Sequence, residues 1–225
     1  MCDSRLFARQ IEDMSRDMAV MVAPITQGER IEEIASNLLS QLPLKCALVG
    51  HGLGGMVAME LLRRAPERIT RIALMNTHAQ AETPQEAAAR EAQIVGARAG
   101  RLADVARGLL PGSALGPGPE RARVVQRYVD MALALGPEVF VRQSRALQRR
   151  RDQQGTLRRC KVPALVLCGA HDSIAPVKRH SFIAELIPHA VFQVIESAGH
   201  LPPLEAPEEI TEALRTWLRQ PFVLR

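Results

Sequence analysis

Ala47-Leu48-Val49-Gly50-His51-Gly52-Leu53-Gly54-Gly55-Met56-Val57-Ala58-Met59 is the stretch on which the reading of this chain turns. The apolar, β-prone run 46–49 meets a cluster of glycines, and from Leu53 to Arg64 apolar residues recur at helical spacing. The pattern predicts strand, abrupt turn and helix. So sharp a turn drives its apex residue toward positive φ, where glycine is at ease and other residues are strained. The apex is Gly52. The first N–H groups of the new helix, Leu53 foremost, point at whatever sits above it, and the helix dipole favours negative charge there.

Outward from the turn, texture changes twice. Upstream, Asp3 or Ser4 can cap a helix carrying Leu6, Phe7, Ile11 and Met14, and residues 18–23 form a short apolar run predicted as a strand. Residues 29–42 place Ile31, Ile34, Ala35, Leu38, Leu39 and Leu42 on one helical stripe, closed by Pro43. Downstream, residues 69–75 predict another strand. Nearly continuous apolar strands alternating with helices indicate an α/β fold, a mostly parallel sheet flanked by helices. Residues 79–155 carry no strand signal. Thr83-Pro84-Gln85-Glu86 is a capping box with proline at the first helical position, and Ala/Arg/Glu-rich helices follow. Sheet texture resumes with residues 162–169, a helix over 177–187, a strand over 190–195 and a final helix. The expected organisation is a core in two parts, 1–78 and 156–225, with an inserted helical cap at 79–155.

Composition narrows the function classes. A chain of 225 residues with 47% hydrophobic residues can bury one sizeable core, and no apolar run reaches membrane-spanning length. The start has neither the charged end nor the apolar middle of an export signal, so a cytoplasmic location is expected. Cys2, Cys46, Cys160 and Cys168 lack the paired spacings of a zinc site, and no metal or other cofactor is expected. The net charge of +5 comes mostly from arginines spread among glutamates, with 3% aromatics to stack on bases, so neither nucleic acid nor a membrane is expected as partner. The abundance of alanine, arginine and glycine points to a GC-rich bacterial genome.

The turn Gly50-His51-Gly52-Leu53-Gly54 resembles the nucleophile elbow of the α/β-hydrolase family, G-x-S-x-G, with glycine where the family carries its serine. Two later loops extend the resemblance. Gly169-Ala170-His171-Asp172-Ser173-Ile174-Ala175-Pro176 is similar to the family's acid loop, and Ser197-Ala198-Gly199-His200-Leu201-Pro202-Pro203-Leu204-Glu205 to its histidine loop. The resemblance implies Asp172 as triad acid, His200 as triad histidine, Gly52 at the nucleophile position, and Leu53 and Cys2 as oxyanion donors. It also implies a strand before the first helix, so the sheet is expected to lack its first strands, and the edge thereby bared invites self-association. His51 and His171 read as supporting or packing residues rather than catalysts, and His78 as either a pocket or a loop residue. The expected activity is that of a carboxylic-ester hydrolase acting on a small apolar ester or acyl substrate, nearly inactive because glycine cannot attack.

Two other readings stand beside this one. A catalytically silent protein holding a small apolar ligand under the cap would use the same fold. A dinucleotide-binding turn fits G-x-G-x-x-G through Gly50, Gly52 and Gly55, but it needs an acidic residue at the end of the next strand. There the chain has Leu74, Met75, Asn76 and Thr77.

Overall fold

The computed structural model describes residues 1–221. Four strands, β1 (Cys46–His51), β2 (Ile69–Met75), β3 (Ala164–Gly169) and β4 (Val191–Ile195), pair in sequence order, every pair parallel. Parallel neighbours need crossovers. Helix α3 (Leu53–Arg64) joins β1 to β2, and α8 (Val177–Leu186) lies between β3 and β4. Between β2 and β3 come α4 (Pro84–Arg98), α5 (Leu102–Leu109), α6 (Arg121–Gln148), which breaks at Gly136-Pro137, and α7 (Gln154–Arg158). Helices α1 (Ala8–Met14) and α2 (Ile31–Leu39) precede the sheet, and α9 (Pro202–Glu205) and α10 (Pro207–Leu218) follow it.

The period-two alternation of the strands decides which helix lies on which face. Ile72, Leu74, Ala164 and Val166 turn one way, onto Ala58, Met59 and Leu62 of α3, Leu157 of α7 and Ile183 and Leu186 of α8. Ala73, Met75, Leu165 and Leu167 turn the other way, onto Met14 of α1 and Ile210, Ala213, Leu214 and Trp217 of α10. Trp217 is buried and its indole N–H donates to the carbonyl of Pro163 at 3.2 Å. The apolar stripe of α2 packs outside α3 through Ile31, Ile34, Ala35 and Leu38.

The sheet edge differs from its expected form in one respect. Residues 18–23 form no strand. Met18, Val20, Met21 and Val22 are exposed, because a β-prone run without a ladder neighbour has nothing to hold it extended against a sheet. The chain regains contact at Ala23 and Ile25, which pack on the α2–α3 cluster, and farther on Arg142 donates to the Thr26 carbonyl and Gln143 to that of Ile25. β1 is therefore one edge of the sheet among the described residues, opposite β4, with Val49 on its uncovered face 41% exposed.

The helical block is anchored by polar groups as well as by its own apolar cores. At the start of α4 the box forms in full: the Glu86 N–H donates to Thr83 Oγ1 at 3.2 Å and the Thr83 N–H to Glu86 Oε2 at 2.9 Å. Thr83→Ala is expected to cost about 1 kcal/mol, read as a melting temperature lower by roughly 2–4 °C. A change under half a degree would show that α4 starts without its box. At the block's return, the buried Arg150 donates to Glu82 at 2.5 Å and to the Gln80 carbonyl at 3.0 Å. Glu60 of α3, 1% exposed, accepts from Arg63, Arg64 and Gln153.

Candidate active site

Because all four strands run the same way, their carboxyl ends and the loops that leave them gather on one rim of the sheet. Gly52 leaves β1 with φ 53° and ψ −118°, in the left-handed half of backbone space that the abrupt turn demands. Its N–H donates to the Met75 carbonyl at 2.9 Å, and its carbonyl accepts from Thr77 Oγ1 at 2.6 Å, so the end of β2 clamps the apex on both sides. A Cβ on residue 52 would meet nothing nearer than the Asn76 carbonyl oxygen, at 3.9 Å. The turn has room for a side chain and a backbone that penalises one. Leu53 opens α3, and its N–H has no acceptor within the helix.

Asp172 leaves β3 and is 3% exposed. Its Oδ1 accepts the backbone N–H groups of Ile174 at 2.8 Å and Ala175 at 2.9 Å, and its Oδ2 accepts His200 Nδ1 at 2.9 Å and Asn76 Nδ2 at 2.7 Å. Burial pushes the carboxyl up, but the His200 bond and charge, the Ala175 N–H and the Asn76 amide outweigh it and bring it to about 2. The carboxylate stays ionised, and its bond to Nδ1 leaves Nε2 as the ring nitrogen free to face a reacting group.

His200 is held by its main chain as well. Its N–H donates to the Ala114 carbonyl at 2.7 Å, and its carbonyl accepts His51 Nε2 at 2.7 Å. The rings of His51 and His200 meet edge to face, 5.2 Å apart. His51 directly precedes the apex, so this contact sets the histidine loop against the elbow. Burial first, and then the His200 charge, lower His51 to about 3, which keeps it neutral beside its neighbour.

Of the residues singled out from sequence, Gly52, Leu53, Asp172 and His200 lie on this rim. Cys2 does not join their hydrogen bonds; it packs against the apolar cluster that includes Leu6, Leu110, Tyr128 and Leu201, and burial raises its thiol. His78 accepts from Arg179 at 2.7 Å and is lowered to about 3 by burial and then by the charges of Arg179 and Arg150. The sequence reading passed over Asn76, whose amide ties Asp172 to the Gly199 carbonyl at 3.1 Å and whose backbone sits at φ 44°. An asparagine closing a strand was its only sequence signal, since asparagine tolerates that region. It also passed over His180, fully buried on α8, which accepts the Thr77 N–H at 3.0 Å and so braces the residue that clamps Gly52. Among the described residues no group of three His, Cys, Asp or Glu side chains could hold a metal ion, and no helix is long and apolar enough to cross a membrane.

These groups set the acid stability. His51 and His78 stay neutral in the fold to about 3 but protonate near 6.5 when unfolded, so the unfolded chain binds more protons below that pH. Asp172 and Glu60 both reach about 2: burial raises Glu60 but its Arg63, Arg64 and Gln153 bonds prevail. Their folded values lie below their unfolded ones, so their contribution is complete above about pH 4.5 and is lost as pH falls toward 2. Urea unfolding from pH 7 to 3 should show stability falling first below about 6.5 and more steeply below 4.5, by several kcal/mol in total. A flat profile to pH 3 would contradict the burial of these groups.

The chain as a whole is similar to known proteins. A family model described as the alpha/beta hydrolase fold matches residues 29–207. The chain is 28% identical over 199 residues to a pimeloyl-[acyl-carrier protein] methyl ester esterase of Aromatoleum aromaticum, covering 81% of this chain and 78% of that one. It is 26% identical over 201 residues to 3-oxoadipate enol-lactonase 2 of Acinetobacter baylyi, covering 85% and 72%. Among solved structures, a thermophilic esterase from Thermogutta terrifontis superposes with a TM-score of 0.86 at 26% identity, over 97% of this chain and 86% of that one.

Proposed function

This chain belongs to the α/β-hydrolase fold family, and from that premise we propose that it is a carboxylic-ester hydrolase frame with Gly52 at the nucleophile position. The observation that carries the reading is the bond of His200 Nδ1 to Asp172 Oδ2 at 2.9 Å, made by a histidine whose carbonyl is pinned by the residue before the apex. Such an imidazole is built to take a proton at Nε2 and return it. The helical block of residues 79–155 is the cap, and a small apolar ester or acyl group enters beneath it. The names of the relatives, a methyl ester esterase and an enol-lactonase, support an ester or lactone bond as the one attacked.

With no hydroxyl at residue 52, no acyl-enzyme forms, and water is the nucleophile. His200 Nε2 accepts one proton as the water oxygen bonds to the ester carbonyl carbon. The carbonyl oxygen becomes an anion facing the Leu53 N–H and the positive end of α3. Collapse expels the alkoxide, which takes the proton back from the imidazolium, leaving acid and alcohol. Triads stripped of one member keep roughly 10³- to 10⁴-fold acceleration over water, so the native chain is a slow esterase. The test is hydrolysis of activated acyl esters of graded chain length by the native chain and by His200→Ala. Slow turnover abolished by the substitution is expected; equal rates in both would overturn the reading. The open space above Gly52 also suits a protein that binds an apolar ligand without turning it over, and calorimetric binding with no hydrolysis by either the native chain or a serine variant would select that reading.

A further inference from the structure

Two segments far apart in sequence meet here main chain to main chain. Gly112-Ser113-Ala114-Leu115-Gly116 links α5 to α6 in the cap, and Ser197-Ala198-Gly199-His200-Leu201 leaves β4. A Cβ on Gly116 would overlap the Ser197 carbonyl oxygen, and one on Gly199 the Ala114 carbonyl oxygen, so the contact exists only because both residues are glycine. The cap side is itself tied down: Ala114 and Leu115 are buried among Leu110, Val129 and Leu201, and Arg121 of α6 donates to the Gly116 carbonyl at 3.2 Å.

One carboxylate stitches the two segments. Glu205 Oε2 accepts the N–H of Gly116 at 2.7 Å from the cap and that of Gly199 at 2.9 Å from the histidine loop, while Oε1 accepts the N–H of Leu201 at 2.7 Å. Gly199 and Leu201 flank His200, whose own N–H donates across the seam to Ala114. Hydrogen bonds to a carboxylate are among the stronger ones available to a main chain, and three converging on one side chain fix two loops at once.

We propose that Glu205 is a positioning residue through which the cap sets the placement of His200. The cap then acts on the site as more than a cover: a displacement of residues 112–116 pulls on both neighbours of the histidine and, through Ala114, on the histidine itself. The Nδ1 bond to Asp172 forms only while the two loops remain stitched. Glu205 touches no reacting atom; it acts through His200, and the inference rests on the His200–Asp172 pair proposed above.

Amide exchange by NMR on the native chain is the first test. The Gly116, Gly199 and Leu201 amides should open together, with protection agreeing within about threefold, as groups released in one event do. Gly116 exchanging more than about tenfold faster than the other two would overturn the coupling. In Glu205→Gln one acceptor oxygen becomes an amide facing an N–H, and all three amides should exchange roughly ten- to a hundredfold faster. The downfield Nδ1 proton of His200 should broaden or shift, and the ring's pH titration should move. Faster exchange with an unchanged Nδ1 resonance and titration would reduce Glu205 to a structural staple and overturn the proposal. A native chain lacking the Nδ1 resonance would instead count against the Asp172 pair, whereas the exchange pattern reads the seam alone. Should Glu205→Gln fail to fold, Arg121→Ala, which removes the tie from α6 to Gly116, should loosen Gly199 and Leu201 as well as Gly116, and protection lost at Gly116 alone would overturn the coupling.

Discussion

Gly52→Ser is expected to raise ester hydrolysis roughly 10⁴- to 10⁶-fold, the scale on which removal of a serine nucleophile is felt in enzymes of this chemistry. The structure has the space. Beyond the adjoining residues, the nearest atom to a Cβ at residue 52 is 3.9 Å away, so the first carbon of a serine side chain enters without displacing a neighbour. The backbone is already bent to the shape that presents it, and the His51 contact sets His200 against the same turn. The same substitution has a thermal cost. A serine held at φ 53° is strained by about 1–3 kcal/mol, and the melting temperature should drop by roughly 2–4 °C for each kcal/mol. Gain of activity together with loss of stability is the expected signature, measured by steady-state kinetics on acyl esters and by calorimetry. A folded serine variant silent across the ester panel would refute the assignment of residue 52.

Within that variant, Asp172→Asn should lower kcat by about 10⁴-fold. Asp172 Oδ2 accepts both His200 Nδ1 and Asn76 Nδ2, and Oδ1 accepts two backbone N–H groups, so the site supplies donors to this side chain from every direction. An asparagine has one acceptor atom for those four donors. If its oxygen faces Ile174 and Ala175, its NH₂ group turns toward His200 and Asn76, and the imidazole must offer a bare Nδ1 with its proton on Nε2. That tautomer cannot take a proton from the serine. KM should change little, because the carboxylate lies behind the imidazole and away from substrate. A fall of less than tenfold in kcat would mean that His200 needs no ionised partner.

The elements with a strong local signal were legible in the sequence. The glycine cluster forces the turn at Gly52 whatever packs around it, and α3 and β2 follow from periodicity alone over Leu53–Arg64 and Ile69–Met75. Asp172 and His200 could be singled out because their loops follow apolar strands in a familiar order. Residues 18–23 misled because β-propensity states only that a run would suit a sheet, not that a neighbouring strand is there to receive it. Asn76 and Glu205 were illegible for a different reason. Each acts on groups remote in the chain, Asn76 on Asp172 and Glu205 on Gly116, and neither partner changes the local pattern in which the residue is read.

The insertion of the whole helical block between β2 and β3 has a consequence for how the chain is made. β1, α3 and β2 emerge together from the ribosome and can close at once, since few residues separate them. β3, which must add to the far side of β2 with Ala164 opposite Ile72, arrives only after roughly 90 more residues, a wait of about 5–20 s at ordinary rates of synthesis. For that interval the nascent sheet carries a second bare flank, and the face bearing Ala73 and Met75 waits for α10, so this is the stage of synthesis most open to association and chaperone capture.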